Sequence, residues 1–64
     1  EQLGLQIIVR NKSYSKAEEI INNIFILLNS LEGYEPQQSP FFIGKDEKNR
    51  SEFSVNYIIK KEGV

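Results

Sequence analysis

The sequence predicts an α+β fold: one amphipathic helix packed on a small, mainly antiparallel sheet, in the order strand-helix-strand-strand. Three observations carry this reading. A period-two apolar pattern opens the chain. A three-and-four pattern follows behind a run of serines. Two further apolar segments then flank a polar block the size of a hairpin loop.

The first strand runs from Leu3 to Arg10. Leu3, Leu5, Ile7 and Val9 fall on one side, with Gly4, Gln6 and Arg10 on the other. Ile8 interrupts the polar side, which predicts cover on both faces and a central place in the sheet. Asn11-Lys12-Ser13 ends the strand with turn-forming residues. The helix is expected from Ser15 to Glu32. Ser15-Lys16-Ala17-Glu18 fits a capping box, in which the serine oxygen accepts from the Glu18 amide and the Glu18 side chain reaches back. Ala17, Ile21, Ile24, Leu28 and Leu31 repeat at the spacing of one helical face. Ile20, Phe25 and Leu27 widen that stripe, Ile26 lies off it, and Gly33 stands where a left-handed residue ends a helix.

Tyr34 to Pro40 holds two prolines, two glutamines and a serine, and reads as a connector. A strand resumes at Phe41-Phe42-Ile43, Lys45 to Arg50 forms the loop of a hairpin, and Ser51 to Lys61 is the return strand. Pairing is expected between Leu5–Arg10 and Ser51–Lys60. Val9, Ile21, Ile24, Leu28, Phe53 and Val55 should share the core.

At 64 residues the chain makes one small domain. A domain of this size buries only about 60% of its unfolded surface, so its core is marginal, and disulfides, a metal or a partner usually supplement it. Cysteine and histidine are both absent. This excludes disulfides, thiolate metal sites and cysteine nucleophiles, and removes the usual general base at neutral pH. A partner chain is the support that remains. Net charge is -1, without the basic excess of a dedicated nucleic-acid binder. No apolar run approaches a membrane span and no signal peptide opens the chain, so the expectation is an intracellular, soluble protein. The chain begins at Glu1, already running into a strand, and is read as a portion of something longer.

The residues offer little for catalysis. Glu18 and Glu19 belong to the first turn of the helix, and Asp46 and Glu47 to a charged loop. The serines have no histidine to activate them, and neither Gly33 nor Gly44 opens a phosphate-cradling loop. No catalytic, cofactor-binding or metal-binding residue is singled out. Phe41, Phe42, Phe53 and Tyr57 on strands leave open a small RNA- or peptide-binding module that uses its sheet surface or edge. A third alternative is a nuclease or hydrolase fragment whose catalytic groups lie elsewhere.

The most distinctive string is Ser39-Pro40-Phe41-Phe42-Ile43-Gly44-Lys45-Asp46-Glu47-Lys48-Asn49-Arg50-Ser51-Glu52-Phe53-Ser54-Val55-Asn56-Tyr57. It resembles the end of the small minor capsid proteins of tailed bacteriophages and prophages, also called tail terminator or tail completion proteins. Members commonly show a Pro-Phe-Phe strand, a Gly-(Arg/Lys)-Asp-Glu turn ending in arginine, and a Phe-Ser-(Val/Ile)-Asn strand. Gln6-Ile7-Ile8-Val9-Arg10, with Lys16-Ala17 opening the helix, is similar to the family's middle portion. The resemblance runs from about Leu5 to Lys61. Two departures stand out. The family's leading helix and loop are absent before the first strand, and only Tyr34 to Ser39 fills the place of an additional strand. An N-terminal segment and part of the 34–39 region are therefore expected to be missing.

The resemblance implies a structural role without catalysis. Such proteins form a ring, usually hexameric, that ends the tail tube and meets the head connector. The implied partners are further copies of the chain, the tail tube protein and the head connector or adaptor proteins. DNA only passes through the channel, no cofactor is needed, and no membrane is involved. The implied place is the head–tail junction of the virion, assembled in the bacterial cytoplasm. The family's turn motif falls on Lys45, Asp46, Glu47, Lys48, Asn49 and Arg50, which makes this projecting loop the candidate interface.

Overall fold

The computed structural model describes residues 2–60, in the order β1 (Gln2–Asn11), α1 (Tyr14–Asn29), β2 (Tyr34–Pro36), β3 (Phe41–Lys45) and β4 (Ser51–Lys60). This is the expected α+β class, with one strand more than the sequence pattern suggests. All pairing is antiparallel and runs through β4. β1 lies along one side of β4 over its whole length. On the other side β3 pairs with the first half of β4 and β2 with the second. Lys61, the last residue of the expected return strand, lies outside the described residues.

The expected pairing of Leu5–Arg10 with Ser51–Lys60 is present, in the register Leu5↔Tyr57 through Arg10↔Glu52. The pleat then decides which residues meet the helix. Phe53, Val55 and Tyr57 point to the helical layer, where Ala17 and Ile21 close over them. Leu5, Ile7, Val9, Phe25, Leu28 and Tyr34 pack around this centre. Of the expected core, Ile21, Phe53 and Val55 are fully enclosed, while Val9 and Leu28 are half-buried at its margin. Ile24 is half-buried outside that cluster, and Tyr57 takes a central position. The Tyr57 hydroxyl donates toward the Phe25 carbonyl and Asn29 Oδ1, both at 3.4 Å, so a polar tip is accommodated beneath the helix.

Three expectations are corrected. First, β1 is an edge strand, and the centre of the sheet is β4. Ile8 is apolar because it shields the open face, not because a second layer covers it. Its register partner Ser54, flanked on the other side by Phe41, is fully buried although no helix lies over that face. Gln6 Nε2 donates to Ser54 Oγ at 3.3 Å.

Second, Tyr34 begins a strand. Tyr34–Pro36 pairs with Ile59–Tyr57, and the Gln37 amide donates to the Asn56 carbonyl at 2.8 Å. Proline is tolerated there because β2 is an edge.

Third, the helix is shifted toward the N-terminus. Its cap is Ser13, whose side chain accepts from the Lys16 amide at 3.2 Å, so Ser15 lies inside the first turn and no capping box forms. The regular helix ends at Asn29. Ser30 follows in helical geometry with its hydroxyl on the Leu27 carbonyl, and Gly33 then turns the chain at φ +92°.

Candidate interface at the hairpin tip

The β3–β4 connection is built by one side chain. Asp46 Oδ1 accepts from the Lys48 amide at 3.0 Å and from the Arg50 amide at 2.8 Å. Its other oxygen receives Arg50 Nε and Nη2, each at 2.7 Å. A carboxylate that holds two backbone amides and a two-toothed guanidinium fixes both ends of the loop. The backbone closes the turn as well. The Asp46 amide donates to the Arg50 carbonyl and the Asn49 amide to the Asp46 carbonyl, both at 3.0 Å, and Asn49 adopts φ +62°. Asparagine is among the few residues other than glycine that accept this conformation readily. The hydrogen bond from the Arg50 amide, more than any other contact, holds the Asp46 carboxyl below its ordinary value.

The six expected residues are thus brought together but do different jobs. Asp46 and Arg50 face each other, with the Asp46 side chain only 16% exposed. Lys45, Glu47, Lys48 and Asn49 are exposed, and among the described residues Glu47 and Lys48 make no ion pair. The residues that the motif did not mark are Arg10 and Glu52, which form an ion pair across β1 and β4 beside the loop. They line a shallow concavity together with Asp46, Glu47, Lys48 and Arg50. The register was the available signal, because pairing Leu5–Arg10 with Ser51–Lys60 sets Arg10 opposite Glu52.

This end of the molecule therefore carries a loop pinned at both ends, with charges of both signs. The opposite end is plainer: Glu32, Gly33, Glu35 and Lys60 border a cleft, with Lys60 Nζ 2.9 Å from Glu35 Oε2.

Of the four aromatic residues considered for base stacking, Phe53 and Tyr57 are committed to the core, while Phe41 and Phe42 stay exposed. Phe42 packs at 5.1 Å from Tyr14 and 5.3 Å from Phe53 in a cluster of tilted rings. A ring held in the core offers no face to a base. Among the described residues no group of acidic side chains has a metal-holding arrangement, and no helix is long and apolar enough to cross a membrane.

Comparison with known proteins agrees with the sequence resemblance. Residues 1–62 match a protein family described as bacteriophage tail terminator protein, a structural family of the phage virion. No curated protein and no solved structure matches the chain.

Proposed function

Because the chain belongs to the bacteriophage tail terminator family, we propose that it works as a ring, most simply of six copies, that ends the tail tube and joins it to the head connector. The observation that carries this reading is the family match over residues 1–62. Two features support it: a charged loop pinned at one end, and a core too small for the apolar surface that the chain carries. The ring is a stopper and an adaptor. It meets the last ring of tube protein on one side and the connector on the other, and DNA passes through its centre.

Within this ring the hairpin tip is the docking element. Asp46 and Arg50 hold its shape, and Glu47 and Lys48 present the charges that a neighbouring ring reads. Paired charges at such a rim act on orientation and partner choice.

The test is genetic and structural. Phage unable to make the protein should give overlong tails detached from filled heads, and the wild-type protein supplied in trans should restore joined particles. Tails of normal length, joined to heads, in its absence would overturn the reading. Glu47→Lys and Lys48→Glu should each reduce joined particles while the subunit stays folded. Normal particle yield from both variants would return the loop to a solvated turn.

A further inference from the structure

The large apolar side chains that the fold leaves exposed are gathered on two flanks. At about 100° per residue, Ala17, Ile21 and Leu28 mark the line of the helix that faces the sheet. Tyr14 lies to one side of that line and packs edge-on against Phe42, so this is the β3 side. Ile20, Ile24 and Leu27 follow one another at steps of four and three residues on the other side of the line, toward β1, and Leu31 follows just past the helix end. They form a ledge above the outer edge of that strand. Leu27 is 62% exposed, and Ile20 and Leu31 are exposed with it. Leu3, on the helix-facing side of β1, extends the same patch.

The second patch lies across the sheet. Tyr14 and Phe42 on the helix-facing side and Phe41 on the open face are exposed along β3, and Ile43 beside them is 47% exposed. Among the described residues, Ile8 and Ile26 are the exposed large hydrophobic residues that fall outside the two patches.

The backbone edges match this division. Among the described residues β1 pairs on one side only, over ten residues, with no proline, no register shift and a single charge at Arg10. A long, apolar, unguarded edge is a template for another strand. The other edge is made of β3 and β2, and β3 carries a register shift between Phe42 and Gly44. One self-complementary patch would make a two-fold dimer, whereas two different patches on opposite flanks make a head-to-tail contact, which gives a ring when the rotation between copies closes.

We propose that the β3 flank of one copy docks on the β1 flank of a second copy of this chain. The sheet then continues from subunit to subunit. β1 and β3 are both antiparallel to β4, so the pairing between copies is parallel. The helical ledge of one subunit covers Tyr14 and Phe42 of the next. This deepens the ring reading and rests on it.

The experiment uses two variants of the complete protein, Leu27→Asp on the ledge and Ile43→Asp on the β3 flank. Assembly is measured by analytical ultracentrifugation, and folding by circular dichroism and melting. Each variant alone should stay folded and lose self-association by about 30-fold or more in apparent Kd, the loss of one interface hot spot. Mixed together they should give a discrete heterodimer and nothing larger, because only one good ledge and one good β3 flank remain to meet. If either variant melts early, Ile20→Asp or Phe41→Asp replaces it on the same flank.

Three results would overturn the proposal. Ile43→Asp assembling as the wild type does, while Leu27→Asp does not, would show a two-fold contact of β1 with itself. Both variants assembling normally would place the interface elsewhere and leave the ring reading standing. A wild-type protein that stays monomeric at every concentration and never joins purified tails would remove the ring reading and this contact together.

Discussion

Asp46 concentrates more of the local order than any other side chain at the hairpin tip. It binds both ends of a five-residue turn, and the amide of Arg50 is the strongest of its partners. These bonds favour the carboxylate, so the acid is harder to protonate in the folded chain than in the unfolded one. A lowered folded-state pKa contributes stability that is fully present above the unfolded value, near 3.8, and is lost as pH falls through the folded value. Denaturant unfolding followed from about pH 7 down to about pH 2.5 should therefore show a falling midpoint below the ordinary carboxylate range. Asp46→Asn should be less stable at neutral pH and lose less on acidification. An unchanged acid limb in that variant would mean that protonation of Asp46 does not drive the loss of stability in acid.

At the scale of elements, the start of the helix gives the sharpest contrast. Ser13 and Ser15 are both candidate caps, and the chain chooses Ser13 for a reason upstream of the helix. Asn11 Oδ1 accepts the Ser13 amide at 2.9 Å, which turns the chain two residues before the capping-box pattern begins. Ser13→Ala should accordingly cost about 0.5–2 kcal/mol, the usual loss of a cap, while Ser15→Ala should change stability by a few tenths at most. Equal losses at both positions in urea unfolding would contradict the cap. The same contrast explains what was legible in the residues. The period of the apolar segments identified β1, α1 and β4, because burial on one face leaves that mark, whereas β3 was read from the unbroken run Phe41-Phe42-Ile43 ahead of the hairpin loop. Strand β2 was hidden, since three residues ending in Pro36 carry no period and are held by β4 alone. Ile8 pointed to the wrong place in the sheet, because an apolar residue that shields Ser54 on an open face looks the same in sequence as one under a second layer. For the tip, the polar run from Lys45 to Arg50 marked the loop. The pairing inside it depended on the positive φ of Asn49, which no spacing rule reports.

At the scale of the whole molecule, the fold is a thin slab rather than a ball. Its extents are 44 × 20 × 14 Å, and its radius of gyration of 13.1 Å exceeds the roughly 11 Å expected for a compact chain of this length. One helix cannot cover a ten-residue strand pair on both faces, so the enclosed apolar core shrinks to Ala17, Ile21, Phe53, Val55 and Tyr57. The remaining hydrophobic surface sits on the two flanks, where a neighbouring copy would complete it. Stability and assembly are then one equilibrium: a neighbour that binds only the folded subunit adds free energy that grows with concentration. At a concentration 100 times the dissociation constant the gain is about 2.7 kcal/mol. Each kcal/mol is worth about 4–8 °C in a domain of this size, so the melting temperature should rise by about 10–20 °C between dilute and concentrated samples. The measurement is a set of thermal scans across concentrations for the wild type and for Leu27→Asp. The variant should melt near the dilute wild-type value at every concentration. A wild-type melting temperature independent of concentration would mean that the subunit is stable alone, and that its exposed flanks serve a partner other than itself.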